Sequence, residues 1–130
     1  TDLICRFIKP VLRVIFPDID VNNSATGAIL LNLSANILGL GNSATPLGIK
    51  AMQELQQLNP DKTKASPAMC TLLALNTSGL TIIPATIISL RAATGSANPA
   101  IITITTIFAT GISTMTAIFL DKTFRMFAGD

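Results

Sequence analysis

Two long stretches without any Asp, Glu, Lys or Arg constrain this 130-residue chain more than any other feature. They cover residues 65–90 and 92–120, and each exceeds the roughly 20 residues that a helix needs to cross about 30 Å of hydrocarbon. Ser66-Pro67 and Asn98-Pro99 each place a capping side chain before a proline, which predicts where the two helices begin. The pattern predicts two transmembrane helices. The alternative is a pair of buried helices in a soluble bundle, which a chain this short could hardly cover with polar surface.

The composition narrows the possible functions. Charged residues make up 12% of the chain, the formal net charge is +2, and histidine is absent. So small and dispersed a charge gives no reason to predict nucleic-acid binding. Without histidine the chain lacks the usual base near neutral pH and the commonest metal ligand. Because no nucleophile and base pair or phosphate-binding loop occurs either, we predict neither an enzyme nor a metal or cofactor site.

Residues 3–16 are predicted to form an amphipathic helix with a basic face. One side carries the apolar residues Ile4, Phe7, Ile8, Val11 and Ile15, and the other carries Arg6, Lys9 and Arg13. Such a helix can lie along a membrane surface or pack against the rest of the protein, and the sequence leaves both open. After it, Phe16-Pro17-Asp18 predicts a turn, and Asn23 or Ser24 is predicted to cap the next helix.

Residues 25–40 are predicted to form an apolar helix that is short for a full crossing of the membrane. Gly39-Leu40-Gly41-Asn42 is predicted to end it, and Thr45-Pro46 to open a second helix over residues 46–58. If the chain enters the membrane through this helix and returns to the same side, the other basic residues all lie on that side of the membrane. Only Arg91 then lies on the opposite side. The positive-inside rule therefore favours a re-entrant hairpin over a full crossing.

The polar residues of the two interrupted elements form the candidate binding site. Irregular backbone at membrane depth is tolerated only where protein or a water-filled cavity surrounds it, and broken helices build substrate sites in secondary transporters. The second interruption lies within residues 65–90, where Pro84 follows an Asn-Thr-Ser-Gly run. The predicted substrate-binding residues are Asn32, Asn36, Gly39, Gly41, Asn42, Ser43, Thr45, Asn76, Thr77 and Ser78. The alternative is that these side chains hold helices together.

The last predicted helix carries a hydroxyl-bearing stripe opposite an apolar face. The stripe consists of Thr103, Thr106, Thr110, Ser113 and Thr114. It could line a polar pathway, but such stripes more often form a helix-packing face, which is the interpretation that we favour. The predicted fold is an all-α integral membrane protein with an amphipathic interfacial helix, a re-entrant broken-helix hairpin and two transmembrane helices.

The string GLGN-x-ATP-x-G-x-KAM over residues 39–52 is long and specific. Together with Asn32, Asn36, the run Leu75-Asn76-Thr77-Ser78 and the pattern Ile82-Ile83-Pro84-x-Thr86, it resembles the spore maturation protein A family. That family belongs to the membrane group called nucleoside recognition or Gate domains. The resemblance implies that residues 1–130 are one Gate domain. Because members carry further hydrophobic residues upstream, the chain looks like the later part of a longer protein.

The resemblance also implies a function. It implies a multi-pass protein of the bacterial cytoplasmic membrane that acts with a homologous partner, related to spore maturation protein B, in spore maturation and core dehydration. The implied role is half of a transporter or gate for a small polar solute across the lipid bilayer, without a cofactor. The alternative is a non-transport membrane scaffold or assembly factor in spore or envelope maturation, for which the basic faces would matter more than the buried asparagines.

Overall fold

The computed structural model describes residues 10–20 and 22–128, and within these ranges it contains helices and no strand. Residues 10–15 form α1. The helices that follow are α2 (Ser24–Ile37), α3 (Gly41–Leu58), α4 (Pro67–Ser78), α5 (Ala85–Ala93) and α6 (Ile102–Ala128), the last preceded by a 3₁₀ turn at Pro99–Ile101. The all-α prediction is confirmed for the described part of the chain.

The described part of the predicted amphipathic helix packs on the core. Leu12 and Phe16 are buried in a cluster with apolar residues of α2, α3 and α4, while Arg13 is exposed. The chain turns after Phe16, and the Oδ1 of Asn23 accepts a hydrogen bond from the Ala25 amide at 3.2 Å. These contacts confirm the turn and the cap of α2. The predicted positions over residues 3–9 lie outside the described residues, so an interfacial orientation stays a prediction.

Helices α2 and α3 form an antiparallel hairpin joined by three residues. The Oγ of Ser24, at the start of α2, donates to the Oε2 of Glu54, near the end of α3, at 2.7 Å. The structure contains the predicted helical hairpin, while its re-entry into a membrane stays a prediction. The break is shorter than predicted, because α3 begins at Gly41 and contains Pro46. Thr45-Pro46 therefore does not open the helix. Proline at this position removes one hydrogen bond, to the Asn42 carbonyl, while α3 continues to pack on both sides of it.

The first predicted transmembrane helix is not continuous. Residues 65–90 contain α4, of 12 residues, and most of α5, of 9 residues, separated by residues 79–84. At 1.5 Å per residue, both are well short of about 30 Å. Gly79 ends α4 in the left-handed conformation, with φ of 63°, and Pro84 precedes α5. The predicted start is confirmed, because the Oγ of Ser66 accepts from the Met69 amide at 3.3 Å.

The second predicted transmembrane helix is continuous. Residues Pro99–Phe127 have a mean hydropathy of 1.7 over their most apolar window, and only 6% of that window is buried. Among the described residues this is the one helix that is long and apolar enough to cross a membrane. Its exposed face carries Ile104, Phe108, Ile112, Met115 and Phe119. The predicted cap is wrong in one respect, since the Asn98 side chain makes no capping hydrogen bond.

Candidate functional site

The two interruptions of the helices meet and bond to each other through their backbones. The Ile37 carbonyl, at the end of α2, accepts from the amides of Ile82 and Ile83 at 2.9 and 3.0 Å. The Gly39 carbonyl accepts from the Oγ1 of Thr86 at 2.7 Å. Carbonyls at the end of a helix have no partner within that helix. The second interruption therefore satisfies the Ile37 carbonyl, and the first turn of α5 satisfies the Gly39 carbonyl.

Gly39 makes this close approach possible. Its φ is 63°, and a Cβ added there would lie 2.5 Å from the Ile83 carbonyl oxygen and 2.9 Å from the Cα of Pro84. Both the left-handed backbone and the lack of space require glycine. Gly39 therefore joins the two interruptions and does not line the groove described below.

Asn36 of α2 and Asn76 of α4 are hydrogen-bonded to each other. The Nδ2 of Asn36 donates to the Oδ1 of Asn76 at 2.6 Å, and both side chains are partly buried. In this pair Asn36 uses one of its two amide hydrogens and Asn76 uses one of the two lone pairs of its Oδ1. The Oδ1 of Asn36 and the Nδ2 of Asn76 therefore remain for other partners.

Asn32 lies one turn earlier on the same face of α2 and is only 1% exposed. Its Nδ2 donates to the Ala44 carbonyl of α3 at 2.9 Å, which fixes the orientation of the amide. Its Oδ1 is buried and has no hydrogen-bond partner among the described residues. Leaving a buried acceptor unpaired costs about 1–3 kcal/mol of stability, and native proteins rarely leave one without a structural or functional reason.

These asparagines lie in an open groove of about 570 Å³ between α2, α3 and α4. Its lining residues are Asn32, Asn36, Gly41, Ala44, Thr45, Gly48, Ile49, Met52, Gln53, Gln56, Met69, Leu73 and Asn76. None of them is charged. The groove can therefore offer hydrogen bonds and apolar contact, but no charge to neutralise an ion.

The structure brings together half of the ten predicted site residues in this groove: Asn32, Asn36, Gly41, Thr45 and Asn76. The others lie elsewhere. Asn42 and Ser43 are exposed in the first turn of α3, outside the lining residues. Thr77 is exposed in a separate cleft towards α6, and the Oγ of Ser78 lies 3.1 Å from the Oγ1 of Thr114. Ligand binding by any of the ten stays a prediction.

Sequence reasoning missed the groove residues of α3 that follow Pro46. They are Gly48, Ile49, Met52, Gln53 and Gln56. With Gly41, Ala44 and Thr45 they recur every three or four residues, which is the spacing of one helix face. The spacing was present within the predicted helix over residues 46–58, but it does not say that this face of the helix lies beside α2 and α4.

The hydroxyl stripe of α6 packs against the second interruption. The Oγ1 of Thr110 accepts from the Thr81 amide at 3.2 Å, and Thr114, which is 6% exposed, contacts Ser78. Further along, the Oγ1 of Thr71 donates to the Oδ2 of Asp121 at 2.7 Å. The centre of the stripe is therefore a packing face, as favoured, although Ser113 is exposed.

The charged residues that form contacts lie outside the groove. Arg125 lies 3.3 Å from the Oδ2 of Asp18 and 3.9 Å from that of Asp121, which ties the end of α6 to the loop after α1. In the loop between α3 and α4, the hydroxyl and amide of Thr63 donate to Asp61 and lower the pKa of its carboxyl. Neither group faces the candidate site.

Comparison with known proteins identifies a relative for nearly the whole chain. Over 123 residues it is 47% identical to spore maturation protein A of Bacillus subtilis (strain 168). This chain is homologous to spore maturation protein A. The resemblance predicted from the GLGN-x-ATP string is thereby confirmed. The alignment covers 95% of the chain and 63% of the length of the relative. No family model and no solved structure matches.

Proposed function

We propose that this chain is the solute-handling part of a bacterial membrane protein that acts in spore maturation. In this proposal it is half of a small-solute transporter or gate in the cytoplasmic membrane, and a homologous partner related to spore maturation protein B completes it. The observation that carries the proposal is the uncharged groove beside the junction of two broken helices, where Asn36 and Asn76 meet.

The physical argument begins with the cost of polar groups in hydrocarbon. Backbone and amide groups at membrane depth need partners, and irregular backbone is tolerated only against protein or a water-filled cavity. The interruptions at residues 38–40 and 79–84 partner each other. The amide groups left over lie on the groove, which suits a site for a polar solute near the middle of the membrane.

The case for a membrane rests on α6 and on the relative. The apolar outer face of α6 is 62–73% exposed at Ile104, Phe108, Ile112, Met115 and Phe119. Lipid would cover such a face without a further protein. The relative is named for spore maturation, and we extend that role to this chain as part of the proposal.

The case for a half-transporter rests on the shape of the groove. It is open along one side, whereas a binding site for a small molecule usually surrounds most of the ligand. A second, similar half in inverted orientation would close it and supply further polar groups. We also propose that the protein crosses the membrane several times and that it pairs with a homologous partner.

A second candidate function is a scaffold or assembly factor without transport. The pairs Asn36–Asn76 and Ser78–Thr114 favour it, because both join helices to each other. A scaffold needs these pairs for assembly and makes no use of the open groove.

Flux through vesicles separates the two candidates. The complete protein and its proposed partner are reconstituted into liposomes loaded with a mixture of amino acids, nucleosides, small carboxylates and amides, and the retained solutes are quantified by mass spectrometry. We expect selective loss of one solute class, abolished by Asn36→Leu and unchanged by Asn42→Leu. Asn42 is the matched control because it is exposed and does not line the groove.

Assembly is measured in the same preparations. The proposal requires that Asn36→Leu still inserts into the membrane and co-purifies with the partner. Loss of the complex in this variant, or retention of every solute by intact wild-type complexes, would contradict transport and favour the scaffold.

A further inference from the structure

A second cavity shares one residue with the groove and lies between α1, α2, α4 and α6. Its volume is about 280 Å³. Asn36 lines both spaces, so the amide that pairs with Asn76 borders the groove and this cavity at once. The function proposed above makes no use of the second cavity.

The lining of this cavity is almost entirely apolar. Eight of its ten lining residues are Leu, Ile or Val, and two of these, Leu12 and Leu75, are only 4% and 6% exposed. The other two lining residues are Asn36 and Thr114, and each of them is already hydrogen-bonded to another side chain. A water molecule in a cavity needs about two to four polar partners. The lining therefore suits hydrocarbon better than water.

From this lining we infer that the cavity binds the acyl chain of a membrane lipid. The inference goes beyond the proposed function and rests on one part of it, the membrane setting. Close-packed protein interiors rarely keep a space of this size for themselves, and an apolar cavity of about 150 Å³ is enough to bind benzene. A cavity of about 280 Å³ has room for a segment of an alkyl chain. A helix, about 10 Å across with its side chains, needs far more space.

The borders of the cavity are continuous with surface that the proposed function places against lipid. Successive residues of a helix are about 100° apart, so Ile118 of the lining lies between the buried Thr114 and the exposed Met115 around α6. At the α1 border, Val11 lines the cavity and is 52% exposed. A lipid chain on the apolar face of α6 is therefore a neighbour of the cavity and meets apolar side chains on the way into it.

Two matched pairs of variants fill the cavity or leave it unchanged. Leu33→Phe enlarges a lining side chain of α2, whereas Leu31→Phe makes the same change at a residue that is 57% exposed and outside the lining. Ile118→Phe and Ile112→Phe repeat this pair on α6, where Ile112 is 65% exposed. The pairs lie on different helices, so one of them keeps the test decisive if a filling variant of the other fails to fold.

The experiment maps where lipid chains touch the complete protein. The protein is reconstituted into nanodiscs of phosphatidylethanolamine and phosphatidylglycerol, in which part of the phosphatidylglycerol carries a diazirine on an acyl chain. After irradiation, the labelled residues are located by peptide mass spectrometry. We expect labels at the buried Leu12 and Leu75 as well as at the exposed Phe108. The labels at Leu12 and Leu75 should fall about tenfold in the two filling variants, because the larger ring takes up the space, and remain in the two exposed variants.

Each other outcome overturns the inference, and the outcomes separate it from the proposed function. If Phe108 is labelled but Leu12 and Leu75 are not, lipid does not enter the cavity, and the membrane setting stands. Labels at Leu12 and Leu75 that persist in both filling variants, or that fall equally in the exposed variants, would show that the reagent reaches them by another route. If Phe108 is not labelled either, the membrane setting of the proposed function fails as well.

Discussion

The α2–α3 hairpin with α4 and the long helix α6 both carry many polar residues, but they satisfy them in different ways. Thr116 and Thr123 of α6 each donate to the carbonyl four residues earlier, at 2.9 and 2.7 Å. A threonine hydroxyl can thus be satisfied by its own helix. This leaves α6 free to expose an apolar face along its length.

Asparagine in the other region finds its partners on neighbouring elements. Asn32 of α2 bonds to α3, and Asn36 of α2 bonds to α4. A carboxamide has two donors and an acceptor, and an interrupted helix adds further unpaired carbonyls. The comparison teaches that hydroxyls in an apolar helix are compatible with facing lipid, whereas carboxamides mark the places where elements must meet.

The largest effect is expected where the two interruptions touch. Gly39→Ala should lower the free energy of unfolding by about 2–3 kcal/mol, because it combines a left-handed residue with a clash against the backbone of Ile83 and Pro84. Thermal unfolding in detergent measures the loss.

Gly79→Ala is the control for that prediction, since Gly79 has the same φ of 63° but the nearest atom to a Cβ lies 3.9 Å away. It should cost only the left-handed conformation, about 1–2 kcal/mol. Equal losses in the two variants would show that the close approach of Gly39 to Ile83 and Pro84 adds no strain.

An intermediate effect is expected at the asparagine pair. Asn36→Leu and Asn76→Leu should each destabilise the protein by about 1–3 kcal/mol, because each leaves the other amide without its partner. The double variant should lose less than the sum of the two, with a coupling of about 1 kcal/mol. Strictly additive losses in a double-mutant cycle would argue against a direct bond.

The smallest effect is expected on α6. Thr110→Val removes the acceptor of the Thr81 amide and should cost about 1 kcal/mol. Thr116→Val removes a hydroxyl that bonds within its own helix on an exposed face, and should change stability by less than about 0.5 kcal/mol. A larger loss in Thr116→Val than in Thr110→Val would overturn the distinction between packing and self-satisfied threonines.

The sequence predicted where helices lie better than it predicted whether each helix is continuous. Charge-free runs and the cap at Ser66 located α4 and α6, because burial in lipid or protein and capping are both local signals. The same runs do not distinguish one helix of residues 65–90 from two half-helices. That depends on whether the backbone freed at residues 79–84 finds a partner, and the partner is the end of α2, about 45 residues earlier in the chain.

The site was predicted in part for the same reason. Asn32, Asn36 and Asn76 were recognisable as polar residues in apolar helices, and the structure places all three on the groove. Pro46 suggested a helix start, which was wrong, and the face from Gly48 to Gln56 was missed because its contact with the groove depends on how α3 packs against α2 and α4. A proline early in a helix removes one bond only, so packing on α2 outweighed it.

Water access to the groove is the most direct test of the proposed transporter. Thr45, which is exposed and lines the groove, and Ile112, on the apolar face of α6, are each replaced by cysteine after both native cysteines are changed to serine. Membrane vesicles are then treated with a cationic, membrane-impermeant thiol reagent. The account predicts that Thr45→Cys is labelled and Ile112→Cys is protected by lipid. Protection of Thr45→Cys, or labelling of both positions at similar rates, would contradict a water-filled groove within a membrane-embedded protein.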